Sequence, residues 1–331
     1  MMTDDRKKIV VLATGGTIAG TGRSGSTMEY HAGGLDISAL ISETQNISDL
    51  AWIIPEQFCN IDSCDMTTSK WIKLAKHINE IARDEEIDGI VVTHGTDTLE
   101  ETAYFLNLTV KTSKPIILTG SMRPSTALSA DGPLNLYQAV SLACSEEAIG
   151  KGVMVVFSEG IYSARDVQKS HCFNASAFSQ KDLGCMGYMR DQLAVFYNQS
   201  IKKHTVDTEF DIDKVKELPN VKIAYFYADA SEEILDYLAK DSDGIVICGA
   251  GCGMFSERWA NKIKGIINMG IPVVRTTRVC NGAIINDGVP YDLHEIISGD
   301  TLPAQKARVL LALALTKTYD TKEIQAMFEK Y

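Results

Sequence analysis

Residues 9–20 read IVVLATGGTIAG, an apolar run that ends in a glycine pair. The run Ile9–Ala13 is typical of a strand buried on both faces, and the pair Gly15-Gly16 follows where that strand ends. Such a pair indicates that the backbone approaches a ligand closely. The spacing argues against a dinucleotide fingerprint, which needs glycines at i, i+2 and i+5, and against a P-loop, which needs Gly-Lys-Ser/Thr. We therefore expect Thr17 to be the functional residue; a tight turn with an incidental threonine is the alternative.

Further apolar runs alternate with helical periodicity along the first part of the chain. The runs predict strands at 9–13, 89–93, 115–119 and 152–157, and the periodicity predicts helices at 70–83 and 134–148. A second, shorter series predicts strands at 221–227, 244–247 and 271–275 and helices at 231–239, 256–267 and 304–317. The pattern indicates an α/β fold, with a larger N-terminal parallel-sheet domain and a smaller C-terminal α/β domain.

The stretch between the two series is polar, charged and broken from residue 198 to residue 220. We expect an N-terminal domain at 1–199, a linker at 200–220 and a C-terminal domain at 221–331. A chain of 331 residues is long for one hydrophobic core, which also favours two domains.

Composition narrows the classes of partner. The formal net charge is −11, and no basic cluster offsets it, so neither nucleic acid nor an anionic membrane is an expected partner. The eight cysteines include no C-x-x-C pair, which argues against a zinc site, and they fit a reducing cytosol better than a disulfide framework. The N-terminal residues lack the pattern of a secretion signal, so we expect a cytoplasmic protein; a periplasmic one is the alternative if a signal segment has been removed.

Polar residues follow the predicted strands, where ligands bind in open α/β sheets. Thr17 follows the first strand, Thr96 and Asp97 follow the strand that ends at Thr93, and Ser121 follows the strand that ends at Thr119. The spacing Thr98-x-x-Glu101 predicts a capping box, which places Thr96 and Asp97 just ahead of a helix N-terminus that favours an anion. These hydroxyls indicate a small polar substrate.

A threonine hydroxyl becomes a nucleophile only with help from a base or a cation. Tyr30, in the polar loop 20–34, and Lys169, in Ala164-Arg165-Asp166-Val167-Gln168-Lys169, are the candidates. A lysine beside a carboxylate is also typical of a surface ion pair, and His94, at the end of an apolar strand, is more typical of a structural histidine. Neither a Ser-His-Asp order nor a metal-spaced histidine cluster is present in the sequence.

Four segments together resemble the bacterial L-asparaginase and glutaminase-asparaginase family, and most closely its tetrameric periplasmic-type branch. They are LATGGTIAG (12–20), VVTHGTDTLEETAYF (91–105), GSMRPSTALSADGPLNLY (120–137) and QKARVLLALALT (305–316). The resemblance implies two α/β domains, and a homotetramer built as a dimer of dimers with active sites shared between partners. It also implies hydrolysis of L-asparagine to L-aspartate and ammonia without metal or cofactor. We expect little glutaminase activity. An amidase for a related or N-substituted asparagine and a non-catalytic amino-acid binder of the same fold are the alternatives.

The resemblance also implies a role for each site residue. Thr17 is similar to the threonine that attacks the side-chain amide and forms an acyl-enzyme, and Tyr30 to the lid tyrosine bonded to that threonine. Thr96, Asp97 and Lys169 match the second catalytic group, in which the aspartate also binds the α-ammonium of the substrate.

Substrate binding is where the chain departs from the family pattern. Ser63 matches the residue that holds the α-carboxylate, but Cys64 follows it where a glutamine is usual, and Cys252 replaces an asparagine in Ala250-Gly251-Cys252-Gly253. The segment 284–290 lacks the glutamate that contacts the partner's lid tyrosine. Because a thiol is a weak donor and acceptor, we expect weaker recognition of the α-ammonium than is usual in the family. Ser121 is a further predicted substrate-binding residue.

Overall fold

The computed structural model describes residues 6–27, 30–31, 33–180, 182–285 and 290–331, with Tyr30, His31 and Pro290 described at the backbone only. The chain divides into two compact units, Met1–Thr208 and Glu209–Tyr331. The division falls inside the segment predicted as a linker, where the short 3₁₀ turns Thr205–Asp207 and Ile212–Lys214 lie. The predicted domain limits at 199 and 221 stay a prediction.

The first unit is an α/β structure. Its strands are β1 (Lys8–Gly15), β2 (Thr21–Gly22), β3 (Tyr30–His31), β4 (Trp52–Ile61), β5 (Gly89–Thr93), β6 (Ile116–Thr119), β7 (Val153–Phe157), β8 (Gly160–Ser163), β9 (Val167–Lys169), β10 (Phe178–Gln180), β11 (Gly187–Arg190) and β12 (Leu193–Phe196). Its helices are α1 (Ile37–Glu43), α2 (Ile47–Leu50), α3 (Thr68–Ala82), α4 (Leu99–Thr109) and α5 (Gly132–Ala143).

Eight of the strands in the described part of this unit form one sheet, in the order β12-β11-β8-β7-β6-β5-β1-β4. The neighbours from β4 to β7 are parallel, and β8, β11 and β12 continue the sheet in antiparallel pairing. Strands β5, β6 and β7 are buried at every residue, as a parallel sheet covered by helices on both faces requires. The predicted parallel α/β domain is confirmed.

The core of this unit lies on both faces of the central strands. On one face, Ile9, Val11 and Ala13 of β1 pack in a buried cluster with residues of α1, α2 and α5. Helices α3 and α4 contact β5, β6 and β7. This packing fixes the carboxyl ends of β1 and β5 beside each other, in the register Ala13 opposite Thr93.

The second unit is a smaller α/β structure with a parallel sheet. Its strands are β13 (Val221–Tyr225), β14 (Gly244–Gly249), β15 (Val273–Thr277) and β16 (Ile297–Ser298), and its helices are α6 (Glu233–Ala239), α7 (Glu257–Asn268), α8 (Ala304–Ala314) and α9 (Thr321–Lys330). The strands pair in chain order, all parallel. Trp259 of α7 is fully buried in its core, and its indole N–H donates to the Ala230 carbonyl at 3.0 Å.

Two predicted helices end earlier than the periodicity suggested. Helix α5 stops at Ala143, and the 3₁₀ turn Glu146–Ala148 follows as a separate element. Leu134, in the first turn of α5, is 49% exposed. Helix α8 ends at Ala314, three residues short of the predicted end. Apolar residues in such tails pack against the core without continuing the helix, because burial does not require helical backbone.

No helix within the described ranges is both long and apolar enough to cross a lipid bilayer. All eight cysteines are free thiols.

Candidate active site

A cavity of about 290 Å³ opens at the carboxyl ends of β1 and β5 in the first unit. Its wall includes Thr17, Ser63, Thr96, Asp97 and Lys169. The structure thus brings together five of the predicted site residues, from segments far apart in the sequence. The position agrees with the rule that ligands of open α/β sheets bind beyond the strand carboxyl ends.

The glycines at the strand ends allow three loops to touch. Gly16 has a positive φ of 83°, and a Cβ placed on it would lie 2.3 Å from the Cα of Gly95. A Cβ on Gly95 would in turn lie 2.8 Å from the Cβ of Ser63. Any larger residue at Gly16 or Gly95 would push the loops apart. The glycine pair that follows β1 therefore serves this close approach, and Thr17, 8% exposed, begins the short 3₁₀ turn Thr17–Ala19 directly after it.

Lys169 links the two polar residues that follow β5. Its Nζ donates to Thr96 Oγ1 at 2.8 Å and to Asp97 Oδ1 at 2.5 Å. The Lys169 side chain is only 16% exposed. The nearest carboxylate in the sequence, that of Asp166, does not pair with Lys169 but with Arg165, at 2.7 Å from Nη1 to Oδ1. A solvated surface ion pair therefore does not describe Lys169. Its ammonium lies where it can stabilise negative charge on the Thr96 hydroxyl.

The strand that bears Lys169 is anchored to the helix that follows Thr96. The backbone N–H of Lys169 donates to Glu100 Oε2 at 2.5 Å, and Glu100 is 4% exposed in the first turn of α4. Hydrogen bonds from backbone N–H groups to carboxylates are among the stronger ones in proteins. This bond fixes β9 against α4 and so sets the distance between Nζ and the Thr96 hydroxyl.

His94 is fully buried behind the site and belongs to a chain of hydrogen bonds. The indole N–H of Trp71 donates to Thr102 Oγ1 at 2.8 Å, the Thr102 hydroxyl contacts His94 Nε2 at 2.9 Å, and His94 Nδ1 lies 2.7 Å from the Gly95 carbonyl. Because an indole only donates and a carbonyl only accepts, the proton lies on Nδ1 and the Thr102 hydroxyl donates to Nε2. Burial lowers the pKa of His94 to about 4. His94 is therefore neutral at neutral pH and holds the Gly95 carbonyl, as expected of a structural histidine.

The turn that bears Ser63 is held from two sides. Asp62 accepts from the Cys64 backbone N–H at 2.8 Å and thereby caps the 3₁₀ turn Ser63–Asp65. Cys64 Sγ lies 3.7 Å from Asp97 Oδ2, within the range of a thiol hydrogen bond. Burial, and then the neighbouring carboxylates of Asp62 and Asp97, raise the pKa of the Cys64 thiol. Cys64 is thus a neutral thiol that donates to Asp97.

The predicted capping box is wrong in its side-chain geometry. Thr98 does occupy the N-cap position of α4, but its hydroxyl makes no bond to the helix N–H groups. The hydroxyl donates instead to the Ser63 carbonyl at 2.7 Å. The hydroxyl thus donates to a carbonyl that the fold brings near and does not accept from a helix N–H, and this bond ties the Ser63 turn to the start of α4.

The remaining predicted site residues lie elsewhere. Ser121 is fully buried and its hydroxyl donates to the Arg123 carbonyl at 2.8 Å, so the structure does not bring it to the cavity wall. Tyr30 pairs with Gly22 through its backbone, and its side chain lies outside the described residues. Cys252 is exposed in the second unit, and residues 286–289 of the segment without a glutamate are outside the described part.

Several residues of the wall were not singled out from the sequence. They are Thr27, Asp62, Met122, Cys172 and Phe173. Asp62 had a usable signal, since an aspartate two residues before a turn N–H is typical of an Asx turn. Cys172 and Phe173, which is 80% exposed, follow Lys169 in a segment with no pattern that marks a site.

One group of side chains has the composition of a cation site. One ligand atom each from Asp62, Cys64 and Asp97 lie within 4.8 Å of one another, and all three residues are exposed. A metal-binding cysteine must be a thiolate, however, and the Cys64 pKa is raised. Asp97 is also already bound by Lys169. The donors are poorly suited to a metal ion.

Comparison with known proteins agrees with this geometry. Two family models match the chain in order: Asparaginase, N-terminal, over residues 8–202 and Glutaminase/Asparaginase C-terminal domain over residues 220–328. The chain belongs to the asparaginase family. The family resemblance seen in the sequence is thereby confirmed, and the two matched stretches follow the two series of strands and helices.

Relatives of the asparaginase family match nearly the whole chain. L-asparaginase 2 of Bacillus subtilis (strain 168) is 44% identical over 329 residues, which cover 99% of this chain and 87% of that protein. L-asparaginase 2 of Escherichia coli (strain K12) is 42% identical over 325 residues, covering 98% and 93%. The crystal structure of a probable cytoplasmic L-asparaginase from Campylobacter jejuni superposes with a TM-score of 0.95 at 48% identity, covering 98% of this chain and all of that one. The two-part α/β fold is thus that of an asparaginase structure.

Proposed function

We propose that the protein is an L-asparaginase, which hydrolyses the side-chain amide of L-asparagine to give L-aspartate and ammonia. The observation that supports this best is the Lys169 ammonium, bonded at once to the Thr96 hydroxyl and the Asp97 carboxylate in a cavity that Thr17 also lines. A cation on a hydroxyl, with a second hydroxyl across the cavity, suits acyl transfer in two steps. Relatives named L-asparaginase support the choice of amide.

In the proposed first step, the Thr17 hydroxyl attacks the amide carbon, and its proton leaves with the amino group as ammonia. In the second, Thr96 and Lys169 activate a water that attacks the acyl carbon. The bond from that carbon to Thr17 Oγ1 breaks, a proton from the water returns to Oγ1, and L-aspartate leaves. Backbone N–H groups at Thr17 and Thr96 would stabilise the oxyanion, a role worth about 10²–10³ in rate per donor. Tyr30 is proposed to assist Thr17. No step requires a metal or an organic cofactor.

Substrate binding follows from the charges at the wall. Asp97 is proposed to attract the α-ammonium, and Ser63 to bind the α-carboxylate. Ser121 cannot contact the substrate from its observed position without movement, because it is fully buried. A cavity of about 290 Å³ suits a small amino acid, and we expect glutamine to be a poor substrate. An amidase for a related or N-substituted asparagine is the second candidate, since Cys64 stands where the family carries an amide.

The decisive test is ammonia release by the wild type and by Thr17→Ala, assayed with L-asparagine, L-glutamine, D-asparagine and an N-substituted asparagine. We expect turnover of L-asparagine by the wild type and a loss of about 10³-fold or more in Thr17→Ala, because members of a catalytic unit cannot replace one another. Thr17→Ser keeps a hydroxyl and serves as the control, with activity well above that of the alanine variant. If Thr17→Ala retained more than a tenth of the wild-type rate, Thr17 would not be the nucleophile.

We also propose a homotetramer, a dimer of dimers with shared active sites, in the cytoplasm. The assembly is what the family resemblance of the sequence implies. For the compartment, relatives are named for both: the Campylobacter jejuni protein as probable cytoplasmic and the Haemophilus influenzae protein as probable periplasmic. Light scattering should give four times the chain mass of 36.2 kDa. A fully active monomer would contradict the shared-site arrangement.

A further inference from the structure

Asp62 is a second acidic residue on the cavity wall, and the mechanism above gives it no role. It lies between the end of β4 and the turn Ser63–Asp65, and it lines the cavity beside Ser63 and across from Asp97. A carboxylate oxygen of Asp62 and one of Asp97 lie within 4.8 Å of each other. Two carboxylates that face the same space repel each other unless a cation lies between them.

The charges on the wall are unbalanced. Among the described residues of the wall, the charged side chains are Asp62, Asp97 and Lys169, which sum to one excess negative charge. Lys169 is bonded to Asp97 Oδ1 at 2.5 Å, and the Cys64 thiol is within hydrogen-bond range of Asp97 Oδ2 at 3.7 Å. Asp97 is therefore partly neutralised before any substrate arrives. The uncompensated charge is that of Asp62.

The Asp62 carboxylate is also fixed in place. Its Oδ1 accepts from the Cys64 backbone N–H at 2.8 Å, which caps the turn and holds the side chain in one orientation. One backbone bond occupies only part of the acceptor capacity of a carboxylate. The remaining lone pairs are available to a donor in the cavity, with little side-chain entropy left to lose on binding.

We propose that Asp62 is a specificity-determining residue that binds the α-ammonium of the substrate together with Asp97. This inference rests on the proposed asparaginase activity. Charge-assisted bonds from an ammonium nitrogen to a carboxylate oxygen are about 2.8 Å long, so one nitrogen can bond two oxygens that are up to about 5.6 Å apart. The observed separation, within 4.8 Å, satisfies that condition. Asp62 then supplies the contact that the thiol of Cys64 cannot. The pocket therefore selects for a free α-ammonium, whereas the sequence predicted weaker recognition of that group.

Asp62→Asn is the sharpest test, because asparagine has the same shape and its side-chain oxygen can still accept from the Cys64 N–H. The control is Asp65→Asn, which removes an equal charge from the same turn at an exposed residue outside the cavity wall. Both variants and the wild type are assayed with L-asparagine and with succinamic acid, the analogue that lacks the α-amino group. Hydrogen bonds to charged groups predict a rise in KM for L-asparagine of about 10-fold to 100-fold in Asp62→Asn, with kcat changed by less than about threefold.

Succinamic acid separates recognition from folding. Because it has no ammonium, its kcat/KM should be unchanged or improved in Asp62→Asn, so that the preference for L-asparagine falls by about tenfold or more. Asp65→Asn should keep the wild-type preference. A KM for L-asparagine within twofold of wild type in Asp62→Asn, or an equal loss on both substrates, would overturn the assignment.

Calorimetric titration with L-aspartate distinguishes this inference from the proposed function. If the wild type releases no ammonia from L-asparagine, the proposed function fails; weaker L-aspartate binding by Asp62→Asn than by wild type would still support the ammonium contact. If L-aspartate binds both proteins equally, or binds neither, the role of Asp62 is wrong whatever the turnover.

Discussion

Lys169 in the first unit and Arg275 in the second are both cations with little exposed surface, and they have different partners. Lys169 in the first unit donates to two side-chain oxygens, those of Thr96 and Asp97. Arg275 in the second unit, 2% exposed, donates to two backbone carbonyls, those of Cys252 and Ile285, both at 3.1 Å. A cation on a hydroxyl can change the chemistry of that hydroxyl, whereas a cation on carbonyls can only hold two segments of chain together.

The difference shows that similar α/β units do not imply similar sites. The Lys169 side chain is 16% exposed and reaches the cavity wall, so a substrate can meet the groups it binds. Arg275 is enclosed, its Nε has no hydrogen-bond partner among the described residues, and burial lowers its pKa. Burying a guanidinium in this way costs stability unless it returns hydrogen bonds. We infer that Lys169 serves catalysis and that Arg275 serves the structure of the loop at Cys252.

The largest effect expected from this comparison is on catalysis. Lys169→Met should lower kcat/KM for L-asparagine by about 10³-fold or more, with a small change in the urea midpoint, because its main partners are the groups of the cavity wall. Combining Lys169→Met with Thr96→Val should lower kcat/KM little further than Lys169→Met alone, since the two residues act as one unit. Steady-state kinetics with urea unfolding tests both points. A Lys169→Met enzyme with near-normal kcat/KM would remove the catalytic half of the comparison.

The second effect is on stability. Arg275→Met removes the donor of the Cys252 and Ile285 carbonyls, and hydrogen bonds to a charged group contribute about 1.5–3 kcal/mol each. We expect the unfolding free energy to fall by about 2–5 kcal/mol, measured by urea denaturation. Arg278→Met is the matched control, because Arg278 is exposed and its guanidinium makes only one bond within the described ranges, a long one of 3.4 Å to the Phe226 carbonyl. Equal unfolding curves for the two variants would contradict the structural role of Arg275.

Much of the fold could be predicted because its central strands are buried on both faces. The run Ile9–Ala13 and the strand ending at Thr93 are continuous apolar segments, and their burial follows from their composition. Strand β4 escaped notice because all ten of its residues are exposed or half-buried, and its sequence has no continuous apolar run after Trp52-Ile53-Ile54. The antiparallel strands β8, β11 and β12 are too short, at four residues each, for a periodic signal.

Part of the candidate site was predictable because it follows the same buried central strands. Thr17, Thr96 and Asp97 follow buried strands directly, so the strand assignments locate them. Lys169 comes from a short hairpin 72 residues after Asp97. The sequence named it as one candidate cation with a surface ion pair as the alternative, and the family resemblance then matched it to the second catalytic group. The Asx turn at Asp62 could have been predicted from the sequence, but its proposed role could not, because that role depends on a charge balance with Asp97 that exists only in the folded chain. The expected weakness of amino-group binding at Cys64 stays a prediction, now opposed by Asp62.

The smallest expected effect concerns His94, a buried titratable group that, unlike Lys169 and Arg275, is neutral in the folded protein. His94 has a pKa of about 4 in the folded protein against 6.5 for an unperturbed histidine. As the pH falls below about 6.5, the unfolded chain takes up a proton that the folded protein does not, so the fold loses stability until the pH reaches about 4. Between pH 7.5 and pH 5.5 this loss should be about 1 kcal/mol. His94→Gln cannot titrate, and all other acidic and basic groups are common to both proteins. The unfolding free energy of the wild type, measured in urea at both pH values, should therefore fall by about 1 kcal/mol more than that of His94→Gln. Parallel losses in the two proteins would show that His94 accepts a proton within the fold, and that the hydrogen-bond chain from Trp71 does not hold it neutral.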